Sequence, residues 1–203
     1  MKPLLILDCD GVLMHFIAPF QAWLDGRHGL ELRMDSFALL GNLRRNGVPL
    51  EASEFAPLLD GFFDEAQPTQ TLLPGVAEAV NGLAARADIV ILTNIEPRHR
   101  ETRLAVLARE GLNFPVHPNG EGVPKGRAVA ALAEGRPAVF VDDLPPHHGS
   151  VARHAPHVGR LHLVGEPVVQ AIIPAAPDAH ARIDDWGAAR GWIEDWFHKG
   201  VVA

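Results

Sequence analysis

Residues 3–7 (PLLIL) form a short apolar run that goes straight into Asp8-Cys9-Asp10-Gly11. An unbroken run of this length fits a strand buried on both faces, the habit of parallel sheets. Its abrupt end in two carboxylates sets charge at the strand's C-terminal end. The pattern returns at residues 88–92 (DIVIL), followed by Thr93-Asn94, and at 138–141 (AVFV), followed by Asp142-Asp143. Residues 160–164 (RLHLV) and 114–116 read as weaker strands. Helical stretches at 76–86, 98–110, 126–133 and 146–154 alternate with them. Strands alternating with helices predict βαβ units and an α/β fold: a Rossmann-like parallel sheet flanked by helices.

Residues 15–73 break that rhythm. They show helical candidates at 16–24, 36–45 and 52–64, no convincing strand, and Gly26, Gly29, Gly47 and Pro49 as punctuation. An insertion of this size after the first strand predicts a small helical cap over the sheet's C-terminal edge, where open α/β sheets bind ligands. The expected division is a core domain of residues 1–14 and 74–203, with the cap at 15–73. Trp186, Trp192 and Trp196 lie in a tail, 183–198, that reads as a C-terminal helix packed on the core, or an interface.

Charge narrows the function. The 203 residues carry a formal net charge of -7, which argues against nonspecific nucleic-acid binding. A phosphate site in such a chain must make its own positive potential, from a bound divalent cation and one or two buried basic residues. Cys9 is the single cysteine, so no intrachain disulfide forms, and a reducing cytoplasm fits best. The first apolar run is too short for a signal peptide, and no stretch nears the roughly 20 apolar residues of a membrane span. A soluble cytoplasmic protein, monomer or homodimer, is expected.

If the first, second and fourth strands are parallel neighbours, Asp8, Asp10, Thr93, Asp142 and Asp143 converge in one pocket. Carboxylates so crowded need a hard cation or a proton. Mg²⁺ takes oxygen ligands, typically one or two carboxylates plus substrate phosphate, and no Cys or His cluster suited to zinc lies nearby in sequence. A carboxylate attacking a phosphate dianion needs such neutralisation. Lys125 would add positive charge on the phosphate and keep Asp8 ionised, and the Thr93 hydroxyl would bind phosphate oxygens. Asp10, two residues past the nucleophile, is placed to face the leaving group as an acid and then activate water, its carboxylate neighbours favouring the protonated form.

LLILDCDGV closely resembles the first motif of the haloacid dehalogenase-like hydrolases. VILTN, Lys125 in VPKGR, and VFVDD are similar to the second, third and fourth, and LLPGVAEAV to the segment that leads back from cap to core. The resemblance spans residues 1–14 and about 74–165. It implies that Asp8 is nucleophile and metal ligand, and that Asp10 is the acid/base, giving its backbone carbonyl to the metal. It further implies that Thr93, Asn94 and Lys125 form the phosphate-binding group, and that Asp143 and Asp142 complete a Mg²⁺ site. The family's dehalogenases lack an acid at Asp10, so its presence points to phosphoryl transfer. Phosphonate-cleaving members use a cap lysine, and the lysines here are Lys2, Lys125 and Lys199. Four residues past Asp143, where members often carry Asp or Asn, this chain has His147. Receiver domains use similar groups, but there the lysine follows the acids.

The expected reaction is Mg²⁺-dependent hydrolysis of a small phosphorylated metabolite through phospho-Asp8. A sugar phosphomutase and a low-turnover phosphometabolite-binding regulator are the alternatives. His147, His148, His154 and His157 read as a polar loop and short helix more readily than as a transition-metal site, and Cys9 as a packed thiol. His15, Arg27, Arg33, Arg44 and Arg45 are cap-side candidates for holding substrate. Glu96 and Arg98 either line the pocket or cap the next helix.

Overall fold

A computed structural model describes residues 2–199; residues 1 and 200–203 of the expected core domain lie outside it. In chain order the strands are β1 (Leu4–Leu7), β2 (Glu31–Leu32), β3 (Leu43–Arg45), β4 (Val48–Pro49), β5 (Asp88–Thr93), β6 (Val116–Pro118), β7 (Ala138–Asp142), β8 (Gly159–His162) and β9 (Ala181–Arg182). The helices are α1 (Ile17–His28), α2 (Leu39–Asn42), α3 (Ala52–Glu65), α4 (Val76–Ala84), α5 (Arg100–Arg109), α6 (Gly126–Ala133), α7 (Pro145–His154), α8 (Pro167–Gln170) and α9 (Trp186–Lys199).

Six strands form one parallel sheet in the order β6-β5-β1-β7-β8-β9. All four residues of β1 are buried, because helices cover both faces. Alternation along the strand divides them: Leu5 and Leu7 pack with α4, α5 and α9, while Leu4 and Ile6 pack with α6 and α7. The expected α/β architecture is present. The tail helix docks on the core through Trp186, Ala189 and Ile193, and the Trp186 indole N–H donates to the Val12 carbonyl at 2.8 Å.

The segment between β1 and α4 has its own apolar cluster, built from α1 and α3 around Phe20, Leu24 and Phe62. Here the structure departs from the sequence reading. The segment holds a three-stranded antiparallel sheet, β2-β3-β4, where no strand was expected. The helix expected over 36–45 shrinks to α2, and Leu43–Arg45 is a strand. The cause is Asn46-Gly47, both at positive φ (51° and 79°), the backbone that a two-residue hairpin turn demands and a helix forbids. In the main sheet, β6 begins two residues later than expected and β8 ends two earlier, while β9 and α8 had no sequence signal.

Candidate active site

The sheet order puts β1 between β5 and β7, so three C-terminal ends meet at one edge. Asp8 follows β1, Thr93 ends β5, Asp142 ends β7, and Asp143 comes next. Lys125 sits at the start of α6, fully buried, and its ammonium bridges Asp8 Oδ1 at 2.5 Å and Asp142 Oδ2 at 2.7 Å. The second Asp142 oxygen accepts the Leu144 N–H at 2.9 Å. Both Asp142 oxygens are therefore engaged. Asp143 differs: its Oδ1 is buried without a hydrogen-bond partner, and its side chain borders the cavity that Asp8, Asp10, Thr93, Asn94 and Lys125 also line.

Two glycines allow this packing. Gly11 has φ +81°, and a Cβ there would stand 2.6 Å from Asp143 Oδ2. At Gly126 a Cβ would meet the Ser150 carbonyl oxygen at 2.3 Å, so the turn carrying Lys125 lies directly on α7.

Asp10 borders the same cavity, and its carboxylate has partners that the sequence reading did not name. Its carboxylate takes both oxygens to the Arg103 guanidinium, at 2.9 and 3.1 Å, and accepts the Gln70 amide at 2.7 Å. The group in contact with it is thus a buried cation, not another carboxylate. Neither Arg103 nor Gln70 was found in the sequence. Arg103 did carry a signal, since it shares the buried face of α5 with Val106 and Leu107, three and four residues on. Gln70 carried none.

Burial pushes the Asp8 carboxyl up to about 7, against the pull of Lys125. Burial, then the Asp8 and Asp142 charges, raise Asp143 well above the carboxylate range. Burial also opposes the Asp142 charge, but the Lys125 charge and hydrogen bond, with His147 and His148 nearby, together hold that carboxyl low. Burial works against Lys125 as well, yet Asp142 and Asp8 keep it protonated. Four carboxyl groups thus face two cations, Lys125 and Arg103, and a divalent cation among them would favour the ionised forms that burial and crowding oppose. Asp8, Asp142 and Asp143 offer oxygens all within 4.8 Å of one another, the only such ligand group among the described residues. An all-oxygen donor set with an unpartnered buried oxygen fits a hard cation.

The remaining candidates separate. The Asn94 amide donates to the Val123 carbonyl at 2.9 Å, holding the loop over the cavity. Glu96 accepts the Glu121 N–H in the same loop, and Arg98 pairs with Asp60 of α3, so neither lines the cavity. The cap arginines are turned to cap carboxylates: Arg27 to Glu65, Arg33 to Glu31, Arg44 to Asp35 and Arg45 to Glu54. His15 stands 3.9 Å from Glu166, a carboxylate that accepts the Phe16 and Ile17 N–H groups at the start of α1. His147 borders the cavity, His148 lies buried beneath Asp142 and bonds its carbonyl, and His154 bonds the Ser150 carbonyl. Cys9 is packed in the core, where burial pushes its thiol up.

No protein-family model matches the sequence, and no curated protein matches it. Solved structures do. A haloacid dehalogenase-like hydrolase from Burkholderia xenovorans aligns over 97% of this chain and 98% of its own, with TM-score 0.60 and 17% identity. A HAD-hydrolase from Bacillus subtilis bound to magnesium aligns over 95% and 98%, with TM-score 0.64 and 14% identity. The fold is haloacid dehalogenase-like. A third structure of this fold, described as a predicted phosphoglycolate phosphatase from Haemophilus somnus, aligns over 93% and 96% with TM-score 0.58 and 17% identity. No helix among the described residues is long and apolar enough to cross a membrane. In this haloacid dehalogenase-like fold, the cavity lies at the sheet edge where the four sequence motifs end.

Proposed function

We propose that the chain is a Mg²⁺-dependent phosphatase that hydrolyses a small phosphomonoester through an aspartyl-phosphate on Asp8. The observation that carries this reading is the pairing of two cavity-facing carboxylates, Asp8 and Asp143, with Lys125 buried behind them. The magnesium-bound B. subtilis neighbour and the phosphatase-like neighbour support it. Asp8 and Asp143, with the Asp10 backbone carbonyl, would hold the metal, while Asp142 fixes Lys125. When bound, the cation supplies the positive charge that lets one anion approach another. Lys125 orients Asp8 through its 2.5 Å contact and offers charge to the phosphate, and Thr93 and Asn94 border the same space.

An Asp8 oxygen bonds to phosphorus while the ester P–O bond breaks, and a proton from Asp10 passes to the departing alkoxide. Asp10 then takes a proton from water as that water's oxygen bonds to phosphorus and the Asp8–phosphorus bond breaks. Alcohol and inorganic phosphate leave, and the side chains return to their starting state. Residues 15–73 act as the cap that closes the cavity, and the cytoplasm is the compartment we favour for a chain with a free buried thiol. Phosphate release from phenyl phosphate is the test, with Mg²⁺ or EDTA and with Asp8→Asn. Release is expected to need the metal and to fall at least about 10³-fold in the variant. Equal rates in both proteins would remove Asp8 as nucleophile.

A further inference from the structure

The cavity encloses about 440 Å³, far more than a phosphate group occupies. Its sheet-edge end is polar, whereas Phe16, Met34, Leu39, Phe55, Leu59 and Ile173 line the rest, and half-exposed Phe37 stands at its mouth. The cations that would receive a second anionic group are elsewhere. Arg27, Arg33 and Arg45 hold cap carboxylates at 2.7–3.4 Å, and none of them lines the cavity. Among the described residues Lys125 is the one lysine or arginine on its wall, and it is committed to Asp8 and Asp142. The wall adds Glu121 and Glu166 instead. Burial and the Asp60 and Glu96 charges already push the Glu121 carboxyl up, so this region resists further negative charge.

We propose that the substrate's leaving alcohol is apolar, an alkyl or aryl group of roughly six to ten carbon atoms with no second anionic group. This rests on the phosphatase reading and narrows it: a small carboxylate-bearing ester such as phosphoglycolate would find apolar walls and acids where it needs a cation. Half-buried positions such as Met34 would contact the apolar group directly.

The test measures kcat/KM with Mg²⁺ for methyl, butyl, hexyl and phenyl phosphate beside 2-phosphoglycolate, and calorimetric binding of hexyl phosphate and 2-phosphoglycolate. We expect kcat/KM to rise about threefold per methylene up to hexyl, as transfer of apolar surface from water requires, with phenyl phosphate about 30-fold above 2-phosphoglycolate. Met34→Arg is expected to lower the hexyl value about tenfold and narrow that gap. A flat series, or 2-phosphoglycolate turned over as well as hexyl phosphate, would overturn the apolar class and leave the phosphatase reading standing. No turnover, with tighter binding of hexyl phosphate, would sink hydrolysis and the leaving alcohol with it, keeping only an apolar phosphate ester as ligand. No turnover and no preference in binding would end both.

Discussion

Asp10 shows how one side chain sets what its neighbour can do. The proposed mechanism needs the Asp10 carboxylate aimed, and Arg103 holds it from inside the core through a single nitrogen, Nη2, that donates to both carboxylate oxygens. The guanidinium also lies 3.3 Å from the Met14 sulfur and over the Phe63 ring, so its place is fixed by packing as well as by charge. Arg103→Met leaves Asp10 beside an apolar gap and is expected to cost about 3–5 kcal/mol in urea unfolding, the usual cost of breaking a buried pair. Arg103→Lys keeps the charge but loses the planar guanidinium that reaches Asp10 through Nη2 while resting on Met14 and Phe63. Its kcat is expected to fall at least about tenfold while KM for phenyl phosphate stays within about twofold, because in the proposed mechanism Asp10 acts on the leaving oxygen and not on ground-state binding. An unchanged kcat and KM in a less stable variant would mean that Arg103 only supports the fold. The sequence named Asp10 but not its partner, since a buried arginine in a helix reads like a solvated one until its face is known.

At the scale of elements, the contact of α6 with α7 decides where Lys125 stands. The Gly126 N–H donates to Ser150 Oγ at 3.1 Å, and no side chain fits between the two helices there. Gly126→Ala is expected to destabilise the protein by about 1–3 kcal/mol through overpacking, and to reduce phosphate release with it as the Lys125 turn shifts. Gly191→Ala is the control: this glycine lies in α9, its new Cβ meets nothing within 4 Å, and the change is expected to be neutral or to stabilise by up to about 1 kcal/mol. Urea unfolding of both variants checks the pair. The Asn46-Gly47 turn teaches the same lesson, since two residues at positive φ made strands from a segment whose composition suggested a helix.

Across the whole molecule, stability depends on pH through groups buried under the site. His148 is fully buried, its ring near Phe140 and His162, and its Nε2 3.0 Å from the Asp142 carbonyl, to which Nε2–H donates. Burial pushes its pKa from 6.5 down to about 4. The unfolded chain therefore binds a proton in this range that the folded chain refuses. The stability from neutral His148 is present above pH 6.5 and is lost as pH falls from there toward 4, at up to about 1.4 kcal/mol per pH unit. Urea midpoints across pH 4–7 should show that slope in the wild type and a shallower one in His148→Gln. Equal slopes would place the acid sensitivity in other groups. The overall charge of -7 has a local counterpart, because among the described residues five acidic side chains and one lysine line the cavity.

The sequence by itself determined the parallel α/β core and picked out Asp8, Asp10, Thr93, Lys125, Asp142 and Asp143 as residues that the sheet brings to one edge. Apolar runs buried on both faces are continuous in sequence, and each of these polar groups stands at the end of such a run or opens a helix. Only the tertiary structure decided that Asp142 is committed to Lys125 while Asp143 keeps a free oxygen, that Arg103 and Gln70 hold Asp10, and that the cap's arginines turn away from the cavity. Arg33, Arg44 and Arg45 find carboxylates close by in the chain, so there only side-chain direction was undecided, whereas the pairs of Lys125 with Asp142 and of Asp10 with Gln70 and Arg103 lie 17 to 93 residues apart. No local pattern encodes them, because the partners meet only after the sheet has brought its strand ends together.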